Sequence, residues 1–226
     1  MQKPIISLNK LNFNYKEKTI LNINKFEFHR GAMYLFTGTV GSGKTSLLNL
    51  LSRKISYDSG TIEYEGQELK ECLKKQINTE ILFLGQNNKK PWFSGTVGNF
   101  MLKFLSKNSL DKDKEKVLKN ACYTLKIPAY FLNYNISNLS DGEFRWILIA
   151  CYLSIDSKVL LIDFLEQMID YNKLLILNRV LKKKTIHDGV TIIGSSYNPD
   201  LFKSSASVII KLDKGRIIQV RSSSKK

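Results

Sequence analysis

The chain has few of the residues that mark secreted, zinc-binding or membrane-spanning proteins. Its 226 residues include three cysteines and two histidines. Cys72, Cys122 and Cys151 are widely spaced and form no Cys-x-x-Cys pair, which argues against a disulfide framework and against a zinc site. No apolar run approaches the roughly 18–20 residues of a membrane span, and the N-terminus lacks the long apolar segment of a signal peptide. We therefore expect a cytoplasmic protein with reduced thiols.

Acidic residues are also scarce. The chain has 20 Asp and Glu against 35 Lys and Arg, which gives a formal charge of +15 and a pI near 9.6. A positive charge suits an anionic partner, such as membrane headgroups or nucleic acid. The lysines are scattered, however, and Lys, Asn and Ile are abundant throughout, as an AT-rich genome would also produce. The charge by itself leaves both explanations open.

Strand-like runs alternate with helical segments along the chain. The runs are rich in β-branched and aromatic residues and lie at 5–8, 33–37, 61–64, 81–84, 159–163, 190–194, 208–212 and 217–220. Amphipathic periodicity predicts helices over 114–126 and 171–184. The region from about Asn87 to Asn138 has few strand signals and is interpreted as a mostly helical insertion. The alternation predicts an α/β fold with a largely parallel sheet.

The most informative segment is a glycine-rich loop with the pattern G-x-x-x-x-G-K-[ST]. A strand-like run precedes it and an apolar helical run follows it, which is the context that a phosphate-binding loop requires. Glycines let backbone N–H groups turn toward the β- and γ-phosphates, and the helix presents its positive end to them. Lys44 would neutralise phosphate oxygens, and Thr45 would hold Mg²⁺. The nucleotide-binding residues predicted in this segment are Gly38, Thr39, Val40, Gly41, Ser42, Gly43, Lys44, Thr45 and Ser46.

Together with motifs on both sides, this loop resembles the ABC ATPases, the nucleotide-binding subunits of ATP-binding cassette systems, over nearly the whole chain. Tyr15 ends a segment similar to the family's aromatic loop and would stack on adenine. Gln86 ends a segment similar to the Q-loop, whose glutamine senses Mg²⁺ and the γ-phosphate. Asp163 ends a run that resembles the Walker B strand. The resemblance assigns catalytic roles to Lys44, Gln86 and Asp163, and the Mg²⁺ site to Thr45, Gln86 and Asp163.

The resemblance also implies an architecture and a set of cofactors. The fold would be a P-loop NTPase core with a mainly parallel sheet, an N-terminal antiparallel β region and a small helical subdomain. Residues 1–226 would form a single ATP-binding domain, with the helical subdomain at about 87–138 inserted in it. The implied cofactors are ATP and Mg²⁺.

A further motif, at residues 139–143, resembles the family's signature sequence, usually LSGGQ, which closes over the triphosphate bound to the opposite subunit. Ser140 and Gly142, which would face the γ-phosphate, are retained, whereas Asp141 replaces the usual first glycine and adds a negative charge. The Ser-x-x-Glu spacing is also that of a capping box, which would only begin the following helix. The signature residues assigned by the resemblance are Leu139, Ser140, Asp141, Gly142 and Glu143.

Two catalytic positions depart from the family pattern. The residue after the Walker B aspartate should be a glutamate that activates the attacking water, and here it is Phe164. Glu166, two positions further on, is the alternative base; the D-loop, 167–170, follows it directly. Tyr197 stands where the switch histidine is expected, and it cannot become a cation near neutral pH. We therefore expect intact Mg·ATP binding and slow hydrolysis at the chain's own site, because general acid–base assistance typically contributes about 10²–10⁴-fold.

The function implied by the resemblance is that of an ATP-binding subunit that drives or gates a separate transmembrane subunit from the cytoplasmic face of the membrane. It would dimerise with a second ABC subunit, either a copy of itself or a different chain, and no specific nucleic acid is expected. Residues 92–97 are similar to the segment that docks against the membrane partner. The alternatives are a non-hydrolysing structural or regulatory subunit of a cell-envelope or cell-division complex and, favoured only by the charge, an ABC protein acting on ribosomes or DNA.

Overall fold

Two β-sheets and six α-helices make up the described part of the chain, residues 3–91, 95–108 and 113–222 of this computed structural model. The strands are β1 (Ile6–Tyr15), β2 (Lys18–Phe28), β3 (Met33–Thr37), β4 (Ser59–Tyr64), β5 (Gln67–Glu68), β6 (Ile81–Leu84), β7 (Val159–Ile162), β8 (Thr191–Ser195), β9 (Val208–Asp213) and β10 (Arg216–Ser222). The helices are α1 (Lys44–Leu51), α2 (Lys74–Glu80), α3 (Val97–Asn108), α4 (Lys114–Thr124), α5 (Asp141–Ser154) and α6 (Tyr171–Ile186).

The larger sheet has six strands in the order β10-β9-β3-β8-β7-β6. Strands β9, β3, β8, β7 and β6 run parallel, and β10 pairs antiparallel with β9 at one edge. The smaller sheet is antiparallel, in the order β2-β1-β4-β5. These sheets confirm the predicted α/β fold with a mainly parallel sheet and an N-terminal antiparallel region.

The central parallel strands are apolar on both faces because each face is covered. In β7, Leu160 and Ile162 pack with the core cluster that includes α3, α4 and α5, whereas Val159 and Leu161 pack with the cluster that includes β1, β2 and α1. All four residues are buried. The strand therefore appears in the sequence as a continuous apolar run rather than as an alternating pattern.

The described residues between β6 and α5 are mostly helical, as predicted. They include α3, α4 and two short 3₁₀ helices, Ala129–Asn133 and Ile136–Asn138. Trp146 of α5 donates a hydrogen bond from Nε1 to the carbonyl of Leu125, at 3.3 Å, and so ties α5 to the end of α4. The extent of a single domain over 1–226, with its subdomain at about 87–138, stays a prediction.

The topology brings several loops to one edge of the larger sheet. Strands β3, β6, β7 and β8 run parallel, so their carboxyl ends meet there. In open α/β sheets, ligands bind in the crevice outside these ends. The glycine-rich loop follows β3, and Gln86, Asp163 and Tyr197 follow the other three strands.

Candidate nucleotide-binding site

The glycine-rich loop leads from β3 directly into α1. Gly43 caps this helix in a left-handed conformation, with φ 105°, and has no side chain to satisfy the first N–H groups of the helix. Gly38 has φ 145°, and a Cβ atom there would lie 2.1 Å from the carbonyl oxygen of Leu212 in β9. Glycine is required at position 38 by this close approach, whereas the open helix end at Gly43 suits an anion.

Lys44 is held inside the loop that precedes it. Its ammonium donates to the carbonyls of Gly38 and Thr39, both at 2.8 Å, and to Oγ of Ser42 at 3.0 Å. The side chain is buried. Burial lowers the pKa of the Lys44 ammonium, and the negative charges of Asp163 and Glu166 oppose that shift. The ammonium is therefore a partly desolvated positive charge at the centre of the loop.

Asp163 joins the ends of three strands through its carboxylate. Oδ2 accepts hydrogen bonds from Oγ1 of Thr45 at 2.8 Å and from Nε2 of Gln86 at 2.9 Å. Oδ1 accepts a hydrogen bond from Oγ of Ser195 at 2.5 Å. The carboxylate is almost fully buried, with 1% of the residue exposed. The three predicted Mg²⁺ residues, Thr45, Gln86 and Asp163, therefore lie together.

The donor chemistry of this cluster fits Mg²⁺. Thr45 supplies a hydroxyl, Asp163 a carboxylate and Gln86 an amide, and Mg²⁺ prefers oxygen ligands, usually one or two carboxylates together with substrate phosphates. Within the described ranges no group of three or more His, Cys, Asp or Glu side chains could hold a metal ion. A site with a single carboxylate, completed by phosphate oxygens, is consistent with that finding.

Arg145 was missed by the sequence reasoning and lies directly behind this cluster. Its guanidinium donates to the carbonyls of Asp163 at 2.8 Å and Phe164 at 3.4 Å, and also to the carbonyl of Gly85. Only 4% of the residue is exposed, and its Nε has no hydrogen-bond partner. Burial lowers the pKa of Arg145 to about 10, and the charge of Asp163 opposes this shift. A lone cation in the otherwise apolar helical run 144–153 was the signal that could have identified it.

The aromatic residues at positions 164 and 197 contact each other. The rings of Phe164 and Tyr197 meet edge to face, with centroids 4.4 Å apart. The Tyr197 ring also lies over the Lys44 ammonium, 4.7 Å from Nζ to the ring centroid. Phe164 has a left-handed backbone, φ 60°, and its N–H donates to Oγ of Ser195 at 2.8 Å. A left-handed conformation is unusual for a bulky residue, and here the turn after β7 requires it.

Glu166, the alternative base, is engaged with the loop after β8. Its Oε1 accepts hydrogen bonds from Oγ of Ser196 at 2.9 Å and from the backbone N–H groups of Tyr197 at 2.7 Å and Asn198 at 3.3 Å. Its Oε2 is buried without a hydrogen-bond partner. The carboxylate therefore fixes the backbone that carries Tyr197.

The signature segment forms the capping box that its spacing allowed. Oγ of Ser140 accepts a hydrogen bond from the N–H of Glu143 at 3.2 Å, and the Glu143 carboxylate accepts one from the N–H of Ser140 at 2.7 Å. The hydrogen bonds that the carboxylate accepts, from the N–H of Ser140 and also from Oγ of Ser140 at 2.8 Å, hold the pKa of Glu143 below its usual range. A Cβ atom on Gly142 would lie 2.7 Å from the carbonyl oxygen of Met168 in the D-loop. Packing alone therefore requires glycine at position 142.

The carboxylate of Asp141, which replaces a glycine of the usual signature sequence, has an ion-pair partner that the sequence did not reveal. The Lys90 ammonium lies 3.0 Å from Oδ1 of Asp141 and donates to the carbonyl of Leu139 at 2.6 Å. Residues 86–90, Asp141, Arg145 and Met168 help to line a cavity of about 470 Å³ between the Q-loop and the signature. Among the described residues, no hydrogen bond or ion pair joins the signature segment to the glycine-rich loop.

Two other predicted features lie apart from this cluster. Tyr15 ends β1 and is 64% exposed, so its ring is available for stacking. The predicted docking segment, 92–97, falls partly outside the described residues, because 92–94 are not among them. None of the helices in the described ranges combines the length and the hydropathy needed to cross a bilayer.

Comparisons with known proteins identify the family of this chain. The family model described as "ABC transporter" matches residues 21–164, more than half of the chain. An energy-coupling factor transporter ATP-binding protein of Oenococcus oeni is 27% identical over 217 residues, covering 94% of this chain and 77% of its own. A petrobactin import ATP-binding protein of Bacillus subtilis is 24% identical over 222 residues, covering 95% and 86%.

Solved structures share the fold. The structure of cbiO1 from Clostridium perfringens, part of an ABC transporter complex, has a TM-score of 0.83 at 21% identity and covers 98% of this chain and 90% of its own. The dimeric, post-hydrolysis structure of the ATP-binding cassette MJ0796, bound to ADP and phosphate, has a TM-score of 0.84 at 18% identity and covers 98% and 100%.

Proposed function

This chain belongs to the ABC transporter family and is an ATP-binding subunit of an ABC transporter, and we propose that its own site binds Mg·ATP but hydrolyses it slowly. Residues 1–226 form one ATP-binding domain in this proposal, with a helical subdomain at about 87–138. One observation carries this proposal: the residues for phosphate and Mg²⁺ binding are complete, whereas Phe164 and Tyr197 stand at the two positions where the catalytic glutamate and the switch histidine are expected.

The binding half of the proposal rests on Lys44 and on the residues around Asp163. Lys44 neutralises phosphate charge, and the N–H groups of the loop and of α1 surround the phosphates. Thr45, Gln86 and Asp163 hold Mg²⁺, which when bound neutralises charge on the phosphate oxygens. Tyr15, at the end of β1, stacks on the adenine. None of these contacts depends on a catalytic base.

The slow hydrolysis follows from what Phe164 and Glu166 are able to do. A phenyl ring neither accepts a proton nor orients water, and Phe164 directly follows Asp163. Glu166 accepts three hydrogen bonds from residues 196–198 through one oxygen, and its other oxygen is buried. A general base must reach the proton that it removes, so Glu166 is a poor substitute.

The signature residues support a role in a dimer. Ser140 and Gly142 are retained, so this chain completes the site of a partner subunit, while its own site holds ATP and turns over slowly. The partner is a second copy or a different ABC subunit with a complete site, and a transmembrane subunit receives the motion. The transport relatives named above support the transporter role, and the dimeric cassette structure supports a dimer.

The decisive experiment compares nucleotide binding with turnover. Lys44→Ala is expected to abolish the ATP binding that the wild type has in a calorimetric titration with Mg²⁺. Phe164→Glu is expected to raise ATP turnover of the chain. Phe164→Gln is the matched control, because glutamine is close to glutamate in size but has no basic carboxylate, and its turnover is expected to stay low. Equal affinity of the wild type and Lys44→Ala would contradict the binding role. A wild-type turnover of about 1–10 s⁻¹ would contradict the slow-hydrolysis role.

The same aromatic substitutions also favour a second candidate, a non-hydrolysing structural or regulatory subunit in which ATP holds the dimer together. Turnover measured with and without the membrane partner separates the two. A partner that stimulates hydrolysis supports the transporter role, whereas hydrolysis that stays absent in the complete assembly supports the structural role.

A further inference from the structure

The Lys44 ammonium is enclosed by the glycine-rich loop and by the ring of Tyr197. Three hydrogen bonds to the loop, from 2.8 to 3.0 Å, engage the N–H groups of Lys44. The Tyr197 ring lies 4.7 Å from Nζ, and Lys44 is only 6% exposed. The ring therefore shields the charge that a nucleotide must reach.

The Tyr197 ring is fixed from two sides. Phe164 meets it edge to face, with the ring centroids 4.4 Å apart. Glu166 accepts a hydrogen bond from the N–H of Tyr197 at 2.7 Å and so anchors the backbone beneath the ring. Tyr197 itself is 44% exposed, so the ring can turn away without opening a hole in the core.

The position of the ring relative to Lys44 and Asp163 identifies the part of a nucleotide with which it competes. In P-loop proteins the lysine contacts both the β- and the γ-phosphate, and the metal bridges their oxygens. Phe164 stands where the resemblance expects the residue that activates the water attacking the γ-phosphate. Tyr197 contacts Phe164 and lies over Lys44, so we place the aromatic pair on the γ-phosphate side of the lysine. A nucleoside diphosphate has no group at this position.

We propose that Tyr197, supported by Phe164, is a specificity-determining residue that occupies the place of the γ-phosphate and disfavours triphosphates relative to diphosphates at this site. The inference rests on the proposed nucleotide-binding function. ADP binds with the ring in place, whereas ATP binds only after the ring leaves Lys44. Cation–π contacts of this kind correspond to about 2-fold to 30-fold in affinity.

The test measures the affinities of the full chain for Mg·ADP and for a non-hydrolysable ATP analogue with an imido bridge, by calorimetry. Tyr197→Ala is expected to raise the analogue's affinity about threefold to tenfold and to leave that of ADP within about twofold. Tyr197→Phe keeps the ring and is expected to match the wild type. Glu166→Ala, which frees the loop backbone, is expected to move the ratio in the same direction as Tyr197→Ala. Tyr171→Ala, an exposed tyrosine of α6, is the matched control.

Each other outcome overturns the inference. Equal changes for both nucleotides, or no change, in Tyr197→Ala would mean that the ring does not compete with the γ-phosphate. A selective loss of the analogue in Tyr197→Phe would mean that the hydroxyl binds phosphate instead. The same series measures wild-type binding and its dependence on Lys44. Failure of the proposed function can therefore be told apart from failure of the inference about Tyr197. If the proposed function fails, the wild type binds neither nucleotide, or Lys44→Ala binds both normally.

Discussion

Replacing Arg145 with methionine is expected to destabilise the fold and to weaken the metal site at the same time. Arg145 is 4% exposed, and its guanidinium bridges the carbonyls of Gly85 and Asp163, the residues that precede Gln86 and Phe164. Methionine retains much of the side-chain length but donates no hydrogen bond. The carbonyls of Gly85 and Asp163 would therefore lose their common hydrogen-bond donor.

The magnitude follows from those contacts. Hydrogen bonds to charged groups contribute about 1.5–3 kcal/mol each, and two short ones are lost. Removal of a buried, desolvated charge offsets part of this loss. We expect the free energy of unfolding to fall by about 2–4 kcal/mol, which lowers the midpoint of thermal unfolding of a chain of this size by about 4–16 °C.

The assay combines urea unfolding with Mg·ATP titration. Arg179→Met is the matched control, because Arg179 lies exposed on α6, and it is expected to change stability by less than about 0.5 kcal/mol. In Arg145→Met, the affinity for ATP in the presence of Mg²⁺ is expected to fall more than that without Mg²⁺. If Arg145→Met unfolds within about 0.5 kcal/mol of the wild type, the bridging role assigned to Arg145 is wrong.

Three other predictions concern the glycine-rich loop and the signature. Gly38→Ala is expected to lower the free energy of unfolding by about 2 kcal/mol or more, because its Cβ would lie 2.1 Å from a carbonyl oxygen of β9. Gly41 has open space around it, so Gly41→Ala is expected to lower the free energy of unfolding by less in the same urea titration. Capping-box hydrogen bonds hold the pKa of Glu143 below its usual range, so they stabilise the fold above about pH 4.3, and this stabilisation is lost as the pH falls through the lowered pKa. Glu143→Gln is expected to flatten this part of the plot of unfolding free energy against pH. An unchanged plot would argue against the capping box. A double-mutant cycle on Lys90 and Asp141, a partly exposed pair, is expected to give a coupling of about 0.2–1 kcal/mol that weakens in high salt, and zero coupling at low salt would contradict the ion pair.

The sequence predicted the local structure where one short window contains the whole signal. The glycine-rich loop is such a window, and so are β3 and β6, whose predicted bounds match the structure. Strand β2 was missed because its eleven residues alternate with many exposed polar side chains. Helix α2 was missed because only Ile77 of its seven residues is buried, so it has little apolar periodicity.

The residues of the candidate site can be identified from the sequence alone: a glycine-rich loop with its lysine and threonine, and aromatic residues at positions 164 and 197. Backbone preferences and side-chain chemistry at these positions act over a few neighbouring residues, so a linear pattern can reveal them. Which distant residues contact each other depends on the tertiary structure. Gln86 and Asp163 are 77 positions apart, and Tyr197 reaches Lys44 because parallel strands end at one edge of the sheet. Such contacts depend on strand order and packing, and no spacing along the chain specifies them.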